Sequence, residues 1–175
     1  REYHLFLNGE ELRLLGYNRH DSHPEFGAAI PQSLMAADLQ MLKAQGTNFI
    51  RGSHYPQRET FLDLCDKLGI LVWEETLGWD VRDAELFKPG FLFKQKDQAR
   101  KLSQVHYNHP CIIIWGFMNE TLSEDKRCRK IIQKVYDIYK ENDKTRLVTY
   151  ASNRYEKDIC MDIVDIVAMN PYPGW

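Results

Sequence analysis

The chain opens with alternating apolar and polar positions, "YHLFLNGEELRL", around the dipeptide Asn8-Gly9. That pattern predicts a hairpin at about 3–13, because Asn-Gly adopts the left-handed backbone of a tight turn. Beyond it the period changes. Short apolar runs ("LLGYN", "NFIRGSHY", "ILVWEE", "HPCIIIWGFMNE", "RLVTYAS", "VDIVAM") predict about six strands. Between them lie segments of helical period. In "SLMAADLQMLKAQG" Met35, Leu39 and Leu42 share a face, with Gly46 as a stop. In "RETFLDLCDKLG" the matching face is Phe61, Leu64, Cys65 and Leu68. A third helix is expected from about Phe91 to Val105. A fourth carries Cys128, Ile131, Ile132, Val135, Ile138 and Tyr139 behind Glu124 and Asp125, whose charges suit a helix N-terminus.

Continuous apolar strands alternating with amphipathic helices predict an α/β fold with a parallel sheet covered by helices. A doubly wound sheet would advertise a Gly-rich phosphate loop after its first strand, and neither GxGxxG nor a Walker pattern occurs. The expectation is a (β/α)8 TIM barrel. A complete one typically needs about 250 residues. The 175 residues here therefore predict a partial barrel spanning 1–175 and truncated after about the sixth strand. The chain starts at Arg1 and stops at Trp175 just past an apolar run, which reads as an excerpt from a longer protein.

With 43% hydrophobic and 27% charged residues the chain is expected to be globular with a sizeable core. A formal charge of −2 with no basic block argues against nucleic acid and a membrane surface as partners. No apolar run approaches the roughly 18 to 20 residues of a membrane-spanning helix. No signal-peptide pattern opens the chain, and the compartment, cytoplasmic or periplasmic/secreted, stays undecided. Cys65, Cys111, Cys128 and Cys160 are scattered among apolar neighbours and are expected to be buried free thiols.

Chemistry gathers where strands end. The C-terminal ends carry Asn18, Arg19, His20 and Asp21; Arg51, Ser53 and His54; Glu74 and Glu75; Asn119 and Glu120; Asn153; and Asn170 with Tyr172. In a βα barrel these ends meet at one mouth. Any one of them could be a solvated loop position, but six of the same kind point to a site. Aromatic rings stack on sugar faces, Asn and His bind hydroxyls, and Glu moves protons. Such a set suits glycoside hydrolysis, in which one carboxylic acid protonates the leaving oxygen and a second carboxylate works opposite it. No GxSxG accompanies a serine nucleophile. His20 and His23 in "HDSH" lack the helical spacing of a zinc motif, so no metal and no cofactor is expected.

The blocks "LNGEELRLLGYNRHD", "DLQMLKAQGTNFIRGSHYP", "FLDLCDKLGILVWEE" and "HPCIIIWGFMNE" resemble, in order, the catalytic barrel of glycoside hydrolase family 2, which includes β-galactosidases, β-glucuronidases and β-mannosidases. The resemblance runs from about Phe6 to Trp175 and implies a retaining β-glycosidase acting on a β-linked carbohydrate. It implies Glu120 as general acid/base and Asn119 as a hydrogen-bonding partner of the sugar 2-hydroxyl. Arg51 and His54 would line the glycone subsite with Asp21. Tyr172 would touch the nucleophile, and Trp175 would form a wall of the pocket. Glu75 and His20 are secondary candidates, Glu75 as a partner of Arg51 or Arg19. The family's nucleophile is a Glu on the seventh strand, to which no Glu of this chain corresponds, so the isolated chain is expected to be inactive. "TLGWD" lacks the acid and His of the magnesium site of large β-galactosidases. Two other readings stand beside this one: a clan-related endo-glycanase barrel, and a non-catalytic fragment that binds sugar or complements a partner. Unpaired barrel edges would invite self-association.

Overall fold

The structure, a computed structural model, describes residues 4–174. Trp175, assigned above to the pocket wall, lies outside the described residues. A hairpin of β1 (Leu5–Leu7) and β2 (Glu10–Leu12) precedes the sheet, and Asn8 and Gly9 both take positive φ at its turn. There follow β3 (Gly16–Arg19), α1 (Gln32–Ala44), β4 (Phe49–Gly52), α2 (Glu59–Leu68), β5 (Leu71–Glu75), α3 (Asp83–Leu86) and α4 (Phe91–Val105). The chain ends with β6 (Ile112–Asn119), α5 (Lys126–Asn142), β7 (Leu147–Ser152), a 3-10 turn (Tyr155–Lys157) and β8 (Ala168–Met169).

Strands β3 to β8 form one parallel sheet in chain order, β3-β4-β5-β6-β7-β8. It curls into six strands of a TIM barrel, with β3 and β8 as its edges. Local sequence explains the elements. The α2 helix stops at Gly69, whose φ of 66° is the left-handed cap that glycine adopts without a Cβ clash. Asp125 caps α5 by accepting the Arg127 N–H at 2.6 Å.

The apolar runs are continuous because both sheet faces are covered. On the outer face Ile50, Val72, Trp115, Phe117, Val148 and Tyr150 pack against the helices. On the inner face Trp73, Ile114 and Ala151 fill the barrel with Phe49, Leu147 and Ile166. Gly116 permits this interior packing, since a Cβ there would stand 1.8 Å from Trp73 Nε1. All four cysteines are free and buried. Burial pushes the Cys65, Cys128 and Cys160 thiols up to about 12.

Near its C-terminal end β6 departs from regularity. Gly116 pairs with Thr149 and Asn119 with Ala151, so β6 carries one residue more than β7 over the same stretch. Met118 and Glu120 take φ of 51° and 53°, backbone that disfavours side chains by roughly 1–2 kcal/mol each. A bulge of this kind re-aims the residues that follow it. Here it delivers Asn119 and Glu120 to the mouth.

Candidate active site

The centre of the mouth is Arg51, the third residue of β4. Its Nε donates to Glu75 Oε1 at 2.5 Å, and one terminal nitrogen donates to Asn119 Oδ1 at 2.8 Å. The other stands 3.4 Å from Asn170 Oδ1. The guanidinium plane lies 4.4 Å over the Trp73 ring. Four strands of one sheet thus converge on one cation. The Arg51 and Glu75 side chains are 7% and 2% exposed, a pair held by hydrogen bonds on several sides, as burial of charge requires.

Glu75 Oε2 lies 2.9 Å from His54 Nδ1, which is also 3.3 Å from the Arg51 guanidinium. Arginine only donates and a carboxylate only accepts. Nδ1 therefore carries its proton toward Glu75, and Nε2 has no hydrogen-bond partner among the described residues. The His54 ring meets His20 edge-on at 5.5 Å. Burial, then the His54 charge, lowers the His20 pKa from its ordinary value, so His20 favours the neutral ring.

Glu120 stands on the other side of Asn119. Asn170 Nδ2 donates to its Oε1 at 2.7 Å, Asn153 Nδ2 to its Oε2 at 3.1 Å, and the Tyr172 hydroxyl to Oε1. The Tyr172 pKa is raised, first because its proton is held by that carboxylate and then by desolvation. Asn170 Nδ2 also donates to Asn119 Oδ1 at 2.9 Å. The open cleft beside these groups is about 400 Å³ and runs between β3 and β8, with Phe49 and Trp73 among its lining residues.

Not every strand-end residue reaches this centre. Successive side chains of a strand face opposite ways, so Glu74 turns into the layer between sheet and helices. There it is fully buried, accepting the Gln57 N–H at 2.9 Å and meeting His106 Nδ1 at 3.0 Å. Asp21 does not line the cleft: its carboxylate joins Arg19 at 2.9 Å and Arg58 at 3.4 Å, and its N–H meets the Tyr55 hydroxyl. The rings of His20 and His23 keep separate neighbours, His54 and Phe26. Sequence reasoning put Asn153 and Asn170 at strand ends without ranking them as site residues. Only the curvature that brings β7 and β8 round to Glu120 selects them. It also passed over Trp79, which lies beside His54 and Tyr55 at the rim.

Among the described residues one group combines metal-ligating side chains within reach of one another: Asp66, His109 and Cys111. It lies at the opposite end of the sheet, around the entry to β6. Asp66 already takes His109 Nδ1 at 2.7 Å and the Cys111 N–H at 2.8 Å. Burial, then Asp66, raises the Cys111 pKa and keeps the thiol protonated. The group is a structural lock.

A parallel βα barrel sheet with a buried Arg-Glu pair and a second carboxylate at the C-terminal ends of its strands defines the class: a TIM-barrel enzyme domain. The family model described as "Glycosyl hydrolases family 2, TIM barrel domain" matches residues 1–173, and the chain belongs to that family. It is 38% identical over 139 residues to a β-galactosidase of Thermoanaerobacter pseudethanolicus, covering 78% of this chain and 17% of that protein. To a β-glucuronidase of Bacteroides fragilis it is 33% identical over 175 residues, covering 98% of this chain and 25% of that one. Among solved structures it matches a GH2 β-galacturonidase from Eisenbergiella tayi bound to galacturonate with a TM-score of 0.94 at 42% identity. That match covers 97% of this chain and 31% of the other. The chain thus spans a minor part of the length of each relative.

Proposed function

We propose that this chain is the part of a retaining β-glycosidase catalytic barrel that carries the general acid/base, Glu120, and most of the glycone subsite. The observation that carries the reading is the convergence of Asn153, Asn170 and Tyr172 on one carboxylate beside the Arg51–Glu75–Asn119 network. Donors from two later strands hold Glu120 in one orientation, which a proton donor to a leaving oxygen needs. Asn119, with its carbonyl held by Arg51 and Asn170, has its amide nitrogen left to meet a sugar hydroxyl. His54 Nε2 and the cleft wall at Tyr172 supply further hydroxyl and ring contacts.

A retaining mechanism needs a second carboxylate about 5 to 5.5 Å from the first. Glu75 is unsuited to attack, since Arg51 and His54 engage both its oxygens. We read Glu75 as the group that orients Arg51 and His54, and assign the nucleophile to a Glu of the longer protein. The relatives, a β-galactosidase, a β-glucuronidase and a β-galacturonidase, bound the substrate class to β-linked hexosides or hexuronides.

The test is Glu120→Gln in the longer protein, assayed on two glycosides of the same sugar. General acid catalysis is worth roughly 10²- to 10⁴-fold, and it matters most when the leaving group is a poor one. Methyl β-glycoside hydrolysis should fall by about that factor, while the glycosylation step of a dinitrophenyl β-glycoside should fall far less. Equal losses on both would remove Glu120 from the role. The isolated chain should hydrolyse neither. Its sheet edges, β3 and β8, have no outer neighbour among the described residues, and self-association through them is expected by light scattering.

A further inference from the structure

We propose that Trp79 forms a stacking platform for a second sugar ring, one unit beyond the residue held in the cleft; this rests on the glycosidase reading. Trp79 is 50% exposed although tryptophan is among the costliest side chains to leave in water. It is not a loose loop residue. Its backbone bridges in parallel with Asn119: the Asn119 N–H donates to Gly78 O and the Asp80 N–H to Asn119 O, each at 3.0 Å.

The other side of the loop is clamped by α4. Gln95 Nε2 donates to Leu77 O at 2.8 Å, and Gln98 Oε1 accepts the Leu77 N–H at 3.2 Å. Gly78 takes φ of 146°, and a Cβ there would stand 3.1 Å from Gln95 Nε2, so the clamp requires glycine. The ring itself lies near-parallel to His54, with centroids 6.4 Å apart and 29° between planes. It meets Tyr55 edge-on, also at 6.4 Å. A rigid backbone thus holds a wide apolar face at the rim, next to a site residue.

Position decides what the face takes. Trp79 does not line the cleft; it lies beside His54, which does. A ring stacked on the indole therefore sits outside the cleft and belongs to a neighbouring unit of the same ligand. Axial C–H groups of a pyranose match an aromatic face, whereas the charged groups of the site are gathered around Arg51 and Glu120. The ligand class is a β-linked di- or oligosaccharide, in preference to a simple glycoside.

The experiment measures binding in the longer protein carrying Glu120→Gln, so that ligand is not consumed. Methyl β-galactoside and methyl β-glucuronide are compared with lactose and a β-glucuronosyl-glucose disaccharide. Trp79→Ala should weaken the favoured disaccharide roughly three- to tenfold, the range expected for one aromatic contact. The matching methyl glycoside should bind as before. Trp79→Phe, which keeps a ring and guards against misfolding, should retain most of the disaccharide preference. An unchanged ratio of the two affinities in Trp79→Ala, or an equal loss for both ligands, overturns the platform. If the starting protein binds neither class, the glycosidase reading falls and the platform with it.

Discussion

The two ends of the sheet hold clusters of similar composition that do opposite things. At the mouth, Arg51, Glu75, His54, Asn119 and Glu120 share hydrogen bonds, yet His54 Nε2 and the Asn119 amide nitrogen, on two side chains that line the cleft, have no partner among the described residues. At the bottom, polar groups are consumed by the protein itself. Asp143 accepts from Trp115 Nε1 at 3.0 Å, Thr145 N at 2.8 Å and Arg146 at 2.7 Å. Arg146 also donates to the carbonyls of Ile112, Tyr107 and His109. Asp66 locks His109 and Cys111 in the same way. A cluster whose donors and acceptors are all used internally is a fastening. One that leaves polar groups facing a cleft is a candidate site.

That contrast can be broken most forcefully from below. Asp143→Ala would strand Arg146 and the buried Trp115 N–H, and should destabilise the chain by roughly 3–5 kcal/mol in urea unfolding. In the full-length glycosidase proposed above it should leave the sugar affinity of the surviving folded fraction unchanged. Glu75→Gln at the mouth is the counterpart. It removes the anionic partner of Arg51 while keeping shape, and should destabilise by roughly 1.5–3 kcal/mol, the worth of a charged hydrogen bond. Monosaccharide binding should fall with it. A variant that lost stability but kept full affinity would make the mouth network a fastening too.

Glu74 and Glu75 sharpen the comparison to adjacent residues. Burial holds the Glu74 pKa above its ordinary value of 4.5, despite hydrogen bonds from His106 and Gln57. A raised folded pKa means that Glu74 contributes stability fully below pH 4.5 and loses it as pH rises through the folded value. Glu74 Oε2 has no hydrogen-bond partner, so replacing it with an amide nitrogen breaks no hydrogen bond while removing the buried charge. Glu74→Gln should therefore gain on the wild type in melting temperature as pH rises from 4.5 toward neutrality. A wild-type-to-variant difference independent of pH would refute the buried acid.

The smallest effect belongs to Tyr172. It is 51% exposed, and Tyr172→Phe should change stability by less than about 0.5 kcal/mol. The informative measurement is titration of the phenol. Because the Glu120 carboxylate holds the proton, Glu120→Gln should lower the Tyr172 pKa toward its ordinary 10.0, followed by NMR of labelled tyrosine. No shift would place the two side chains apart in solution.

Much of this was legible in the residues. The six parallel strands, the hairpin turn at Asn8-Gly9 and the helices behind the strands follow from apolar period and turn chemistry, which act over a few residues. So does the burial of Cys65 and Cys128 on the apolar faces of α2 and α5, and of Cys111 and Cys160 beside apolar neighbours just outside the regular elements. The gathering of Arg51, His54, Asn119 and Glu120 at one end could be anticipated, because parallel strands present the same end to the same side. What a linear pattern leaves open is which way each end points. Period two alone places Glu74 and Glu75 on opposite faces without saying which face is the barrel, and nothing in the pattern shows that the Asp21 carboxylate is held by Arg19 and Arg58.

Tertiary structure decided the rest through curvature. The bulge after Gly116 adds a residue and reverses the backbone at Met118 and Glu120, so "HPCIIIWGFMNE" ends with its acid turned toward β7 and β8. The bending of the sheet then brings Asn153, Asn170 and Tyr172 to that acid from 33, 50 and 52 residues away. The pinning of the Trp79 loop against Asn119 is of the same kind. The sequence by itself determined that a polar mouth exists, since local period and strand direction suffice for that. Only closure of the sheet determined which polar groups share it, because distance in space between strand ends is set by curvature and not by separation along the chain.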